Sequence, residues 1–210
     1  MRLRLLTYNI HKAIGVDRRF APERIIDILR HHDADVVLLQ EVDRHAPRSG
    51  RLDLASYLAR SLRYPYRAVS MNVSLKKGWY GNATLTRHPI GRQRNVDLTI
   101  GQMKRRGAQH TRIELVTPDG RRPIDVFNVH LSLIAEAREQ QVQRLLTLPD
   151  LAGLPTDQPC IIAGHMNDWR GLLRRPFAPA GFEPATDRQP HRRRALATFP
   201  SFAPVGGLDR

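Results

Sequence analysis

The sequence predicts an α/β protein whose sheet is covered by helices, and three observations carry that prediction. A strand-like segment, an amphipathic helix pattern and a second, wholly apolar strand follow one another within the first 41 residues. Apolar runs end on polar residues at Asn9, Gln40–Glu41, Asn128/His130 and His165–Asp168. The last of these, CIIAGHMNDW (Cys160–Trp169), passes from a buried-type run through Gly164 to His165, Asn167 and Asp168. Sheets of this kind gather strand ends into one crevice, where ligands bind.

Taken in order, Leu3–Tyr8 reads as a strand ending at Asn9, and the loop IHKAIGVDRRF after it has no clean period. Pro22 suits the first turn of a helix, and Ile25, Ile26, Ile28, Leu29 and His32 continue it with amphipathic spacing. Asp33–Asp35 stops that helix. Val36–Leu39 is then a continuous apolar strand closing on Gln40 and Glu41. Leu52–Leu62 carries Leu54, Leu58 and Leu62 on one helical face.

Strands are expected over Tyr66–Val73, Asn82–Thr86, Arg94–Ile100, Gln109–Val116 and Ile124–Leu131. His88-Pro89 marks a turn, because the residue before proline is pushed out of helical space. Pro118-Asp119-Gly120 marks a hairpin. Glu136–Leu146 reads as a helix, followed by a Pro-rich connection, 149–159, into the strand at Cys160. Beyond Trp169 the chain turns Pro- and Arg-rich, with HRRR (residues 191–194) read as a solvated loop.

At 210 residues the chain is expected to form a single domain, 1–210, with enough length for a real core. One cysteine, Cys160, leaves no disulfide framework. The N-terminal apolar part is too short for a signal peptide and no segment has the length of a membrane span, so a cytoplasmic location is expected. The formal charge of +14 favours anionic partners such as nucleic acid, phosphate esters or acidic lipid head groups. Charge alone names no site, and the oligomeric state is open.

The motifs TYNI (Thr7–Ile10), LQEVD (Leu39–Asp43), GNATLTRHPI (Gly81–Ile90), RRGA (Arg105–Ala108), NVHLS (Asn128–Ser132), AGHMNDW (Ala163–Trp169) and TFPSFAPVGGLDR (Thr198–Arg210) occur in this order. Together they resemble the endonuclease/exonuclease/phosphatase superfamily, and within it the small bacterial YbhP-type members. The likeness covers essentially the whole chain. It implies a four-layer α/β/β/α sandwich of two mixed β-sheets flanked by helices. It also implies a divalent-metal-dependent phosphoric ester hydrolase of the phosphodiesterase or nuclease kind, with Mg²⁺ or Mn²⁺ as cofactor.

Carried over residue by residue, the resemblance makes Glu41 a metal ligand with Asn9 beside it. It further implies that Arg106 and Asn82 contact the substrate phosphate, that His130 stabilises the transition state, and that Asn167 orients the attacking water. Asp209 matches a residue that supports a general-base histidine. Two departures from the pattern stand out. His165 sits where the family has the aspartate of a Gly-Asp-x-Asn motif, and the Ser-Asp-His motif is absent, which implies a C-terminally truncated domain lacking its last strand or strands. Two functional classes follow: a metal-dependent hydrolase of phosphate esters, or a non-catalytic relative that keeps the fold and binds metal or anionic ligands.

Overall fold

The computed structural model describes residues 2–118 and 120–185. Two four-stranded mixed sheets stack face to face, with helices on their outer sides. This is the four-layer arrangement implied above. The first sheet has the order β1 (Leu5–Asn9), β2 (Val36–Arg44), β4 (Trp79–Thr86), β3 (Tyr66–Ser74). The second runs β5 (Ile90–Asp97), β6 (Gly107–Thr117), β7 (Gly120–His130), β8 (Cys160–His165). β1 and β2 pair in parallel, as do β7 and β8; all other pairs are antiparallel.

Side-chain parity explains the layering, since successive residues of a strand face opposite sides. On β2, Val36 and Leu38 point into the layer between the sheets, while Val37 and Leu39 meet the outer helices. That double burial is why VVLL reads as an unbroken apolar run. On β7, Ile124 and Val126 face inward and Phe127 and Val129 face outward.

The helix α1 (Pro22–His32) begins on Pro22, whose fixed φ suits the first turn, and ends at Asp33 in left-handed geometry (φ 46°). Ile25, Ile26 and Leu29 are buried against the first sheet, whereas Ile28 and His32 point to solvent, which narrows the apolar stripe expected from the sequence. Asp53 caps α2 (Leu54–Ser61), accepting from the Ser56 N–H at 3.0 Å. On the other side α3 (Ala135–Leu146) lays Val142 and Leu145 on the second sheet.

Several boundaries differ from expectation for physical reasons. β2 runs on to Arg44 because a bulge between Leu39 and Val42 absorbs one residue and lets pairing with β4 resume. β5 lies earlier than the expected 94–100, since this edge strand buries only Val96 and shows no apolar alternation. A short helix, α4 (Pro149–Ala152), occupies the Pro-rich connection, and α5 (Arg174–Phe177) follows the candidate site. β8 continues through Gly164 to His165 instead of stopping at Ala163. The hairpin expected at 118–120 is present as the Thr117–Gly120 pair, although Asp119 lies outside the described residues. So do residues 186–210, and with them HRRR, the TFPSFAPVGGLDR motif and Asp209. No helix among the described residues is long and apolar enough to cross a membrane.

Candidate functional site

The two sheets are tied together by polar side chains near one end of the sandwich. Gln40 on β2 donates from Nε2 to Asn128 Oδ1 (2.7 Å) and to Thr7 Oγ1 (3.1 Å). Asn128 on β7 donates from Nδ2 to the Leu39 and Ala83 carbonyls of the opposite sheet (3.1 and 3.0 Å). Asn82 on β4 donates from Nδ2 to the Asn128 carbonyl (3.0 Å). All three side chains are buried, so these bonds replace water that the interior excludes. Immediately beyond them sit Glu41 and His130.

Glu41 lies in the β2 bulge with φ 57°, an unusual value for a residue with a side chain. The bulge turns its carboxylate away from the sheet, a common use of bulges beside functional sites. Lys12 forms an ion pair with Glu41 Oε2, and His11 Nδ1 stands 3.7 Å from the same oxygen. Burial works to raise the Glu41 carboxyl, yet the Lys12 bond and charge, backed by His11 and Lys104, hold it below the ordinary carboxylate range. Asn9, at the end of β1, accepts the His11 N–H at 3.2 Å.

His130 and His165 are register partners at the ends of the parallel strands β7 and β8. Their rings meet edge to face with centroids 5.2 Å apart. Burial pushes His130 down to about 2, helped by the charges of Arg106, His165, Lys104 and His11, so at neutral pH it is an uncharged imidazole. Arg106, just before β6, is also buried. Burial draws its guanidinium below the usual value, partly countered by Tyr80 and Glu41.

Asn82, Arg106 and His130 line one small cavity with Tyr80, Arg105 and Gly107. Tyr80 carries Lys104 Nζ over its ring at 5.4 Å and Arg48 Cζ at 5.6 Å. Arg48 is itself fixed by two 2.8 Å bonds to the buried Asp43.

The structure therefore brings Glu41, Asn82, Arg106, His130 and His165 to one rim. Asn167 is placed there by a left-handed turn (φ 55°), but its Nδ2 donates back to the Leu131 carbonyl at 2.9 Å. Asp168 has a structural task. Its two oxygens accept the N–H groups of Leu172 and Leu173, both at 3.0 Å. Lys12 and Tyr80 belong to the site and were not anticipated. Lys12 lies in a loop without periodicity, and Tyr80 reads as part of the loop between the strands expected over 66–73 and 82–86. Cys160 begins β8, at the opposite end of the strand from His165. Burial and the neighbouring Asp125 push its thiol up to about 12, so little thiolate forms at neutral pH.

The fold is thus a stack of two mixed sheets whose rim carries the Glu41 carboxylate, the buried Arg106 and the neutral His130. The family model described as Endonuclease/Exonuclease/phosphatase family matches residues 6–207, and the chain belongs to that family. It is 33% identical over 216 residues to the uncharacterized protein YbhP of Escherichia coli K12, covering 99% of this chain and 83% of that protein.

Among solved structures, an endonuclease/exonuclease/phosphatase from Beutenbergia cavernae superposes with a TM-score of 0.67 at 27% identity. That match covers 80% of this chain and 48% of the other, so this chain spans about half of that relative's length. Sphingomyelinase C from Streptomyces griseocarneus gives 0.63 at 20% identity, over 87% of this chain and 71% of that one. A humanized Danio rerio TDP2 gives 0.60 at 17% identity, over 88% and 72%. The last two show a shared fold.

Proposed function

We propose that this chain hydrolyses phosphate esters with the aid of a divalent cation, Mg²⁺ or Mn²⁺. The observation that carries the reading is the meeting of Glu41, Arg106 and a neutral His130 at one end of the sandwich. Glu41, with Asn9 beside it, would hold the cation. The oxygen donors of these two side chains suit a hard ion. Mg²⁺ dehydrates reluctantly and usually keeps several of its waters when one or two protein oxygens hold it. When bound, it supplies Lewis-acid stabilisation of the phosphoryl oxygens.

The chain's own residues do the rest. Arg106 offers a planar guanidinium for paired contacts to the phosphate. His130, being neutral, donates one ring N–H to the oxygen on which charge builds up, without adding a cation that would repel Arg106. Asn82, whose Nδ2 is engaged by the Asn128 carbonyl, lines the same cavity and contacts the phosphate through the rest of its amide. His165 takes the place of the family aspartate and accepts a proton from the attacking water through one ring nitrogen, while Asn167 orients that water. Asp209, outside the described residues, takes no step in this scheme, because the sequence carries no Ser-Asp-His motif for it to support. Lys12, Lys104, Arg105 and Arg106 give the rim a positive potential that fits nucleic acid or a phospholipid head group as the ester.

The test is hydrolysis of bis(4-nitrophenyl) phosphate with Mg²⁺ or Mn²⁺. Turnover is expected to vanish with chelator and to fall by about 10²-fold or more in Glu41→Gln and His130→Gln. Metal-independent turnover, or no loss in both variants, contradicts the reading. A second reading, a non-catalytic relative that binds metal or anionic ligands, is favoured by His165, where a carboxylate has been exchanged for a weaker acceptor. It is supported if no turnover appears while metal still stabilises the fold through Glu41.

A further inference from the structure

The segment after β1 is the most strained stretch of backbone in the described residues. His11, Lys12 and Ala13 have φ values of 47°, 63° and 58°, three successive non-glycine residues in the left-handed region. Such geometry is uncommon and persists only where the surroundings impose it, as they do at functional sites. Here the surroundings are explicit. The Ile10 N–H donates to the Gln40 carbonyl (3.1 Å), the Ala13 N–H to the Ile10 carbonyl (2.8 Å), and the Ala21 N–H to the Ala13 carbonyl (2.9 Å). Ile10 and Ala13 are themselves buried in the first core.

The result is a rigid turn that holds Lys12 over the neighbouring strand. Asn9 and Gln40 are register partners on β1 and β2, so the turn and the Glu41 bulge begin side by side. Both depart from ordinary backbone geometry, and together they bring Lys12 Nζ onto Glu41 Oε2. The Lys12 side chain is 26% exposed and Glu41's 12%, so water screens the pair only in part. Around this one carboxylate stand His11, Lys12, Lys104 and Arg106.

We infer that Lys12 is the resident counter-cation of Glu41, and that a divalent ion binds this carboxylate by displacing the Lys12 ammonium. The inference rests on the proposed role of Glu41 as the cation's protein ligand. A lysine is suited to the exchange: its charge is a compact point on a flexible four-carbon stem, and it leaves without dismantling a bidentate pair. The guanidinium of Arg106, buried against Tyr80, has no such freedom. Lys12 thereby sets how much free cation is needed to load the site, because ammonium and cation compete for the same oxygen.

The experiment is calorimetric titration of the full chain with Mn²⁺ and with Mg²⁺, alongside melting curves with and without metal. Wild type, Lys12→Met, Lys12→Gln and Glu41→Gln are compared, the glutamine variant at position 12 guarding against poor folding of the methionine one. Both position-12 variants are expected to bind metal about tenfold or more tighter than wild type, the scale of a unit charge removed from within about 4 Å of a partly buried carboxylate. They should also show a larger metal-induced rise in melting temperature. Equal or weaker binding in both, with the metal response still lost in Glu41→Gln, overturns the competition but leaves Glu41 as ligand. Unchanged binding in Glu41→Gln places the cation elsewhere, and removes both the competition and the metal role of Glu41.

Discussion

Gln40 Nε2 lies 2.7 Å from Asn128 Oδ1, a buried hydrogen bond between residues 88 apart in sequence. It joins the strand that presents Glu41 to the strand that presents His130. The relation between the carboxylate and the imidazole is therefore set inside the sandwich, by a cross-link between its two sheets.

Removing that cross-link should be costly. Asn128→Ala takes an acceptor from Gln40 and two donors from the Leu39 and Ala83 carbonyls. A loss of about 2–4 kcal/mol is expected, since buried polar groups are left with fewer partners. Urea unfolding measures it, and a change under about 0.5 kcal/mol, the level of an ordinary surface substitution, would show that the bond contributes little.

Gly164 occupies a place that no other residue fits. Its φ is 146°, and a Cβ there would stand 2.0 Å from the Val129 carbonyl oxygen. Gly164→Ala must spread β7 from β8, disturbing the His130–His165 pair. A loss of about 3 kcal/mol or more is expected from combined overpacking and backbone strain. Wild-type stability with intact metal response would contradict this.

A cluster built on two buried carboxylates, Asp125 and Asp150, fastens α4 to the second sheet. His110 Nε2 stands 2.6 Å from Asp125 Oδ1, Arg112 donates to Asp125 Oδ2 at 2.9 Å, and Arg94 donates to Asp150 Oδ2 at 2.6 Å. Asp125→Ala leaves His110 and Arg112 without their shared carboxylate. The expected loss is about 2–3 kcal/mol, because His110 loses a buried hydrogen-bond partner while water reaches the freed Arg112. Chemical denaturation decides it, with Asp125→Asn expected to cost less.

Stability should fall with acidity through His130. Its folded value, about 2, lies below the ordinary 6.5, so the unfolded chain takes up a proton that the folded chain resists. The contribution is complete above pH 6.5 and is lost as pH falls toward the folded value. Glu41, also lowered, adds loss in the same direction only below its ordinary 4.5. Between pH 7 and 5 the melting temperature of His130→Asn should therefore decline less steeply than that of wild type. Parallel slopes would refute the assignment.

At position 165 the enzyme reading makes a gain-of-function prediction. On that reading His165→Asp supplies a carboxylate with two acceptor oxygens where the imidazole offers one. Metal-dependent hydrolysis of bis(4-nitrophenyl) phosphate should rise by about 10²-fold, the lower end of what a positioned base contributes. An equal or lower rate would show that the imidazole serves as well, or that other parts of the site limit turnover.

Legibility in the sequence tracked burial pattern closely. VVLL and CIIA were readable as strands because both faces of each are covered by apolar neighbours. The edge strand β5 was misplaced because IGRQRNVD buries little and carries no alternation. The helix α4 was invisible because its docking depends on Asp150 meeting Arg92 and Arg94, more than fifty residues earlier. Within the site, Glu41, His130 and His165 were found as polar residues closing apolar runs. Lys12 could not be, since its direction follows from three left-handed residues in an aperiodic loop.

The sequence by itself determined the α/β class, the buried strands and, through seven ordered motifs, the family. Those properties follow from local periodicity and residue type, which a linear chain displays. Tertiary structure alone decided which groups meet: Lys12 with Glu41, Gln40 with Asn128, His130 with His165. These meetings depend in turn on a bulge with a left-handed turn, on the stacking of one sheet on the other, and on the register between two strands far apart in sequence. Such features are selected by packing the whole chain, because no local stretch has enough energy to hold them alone.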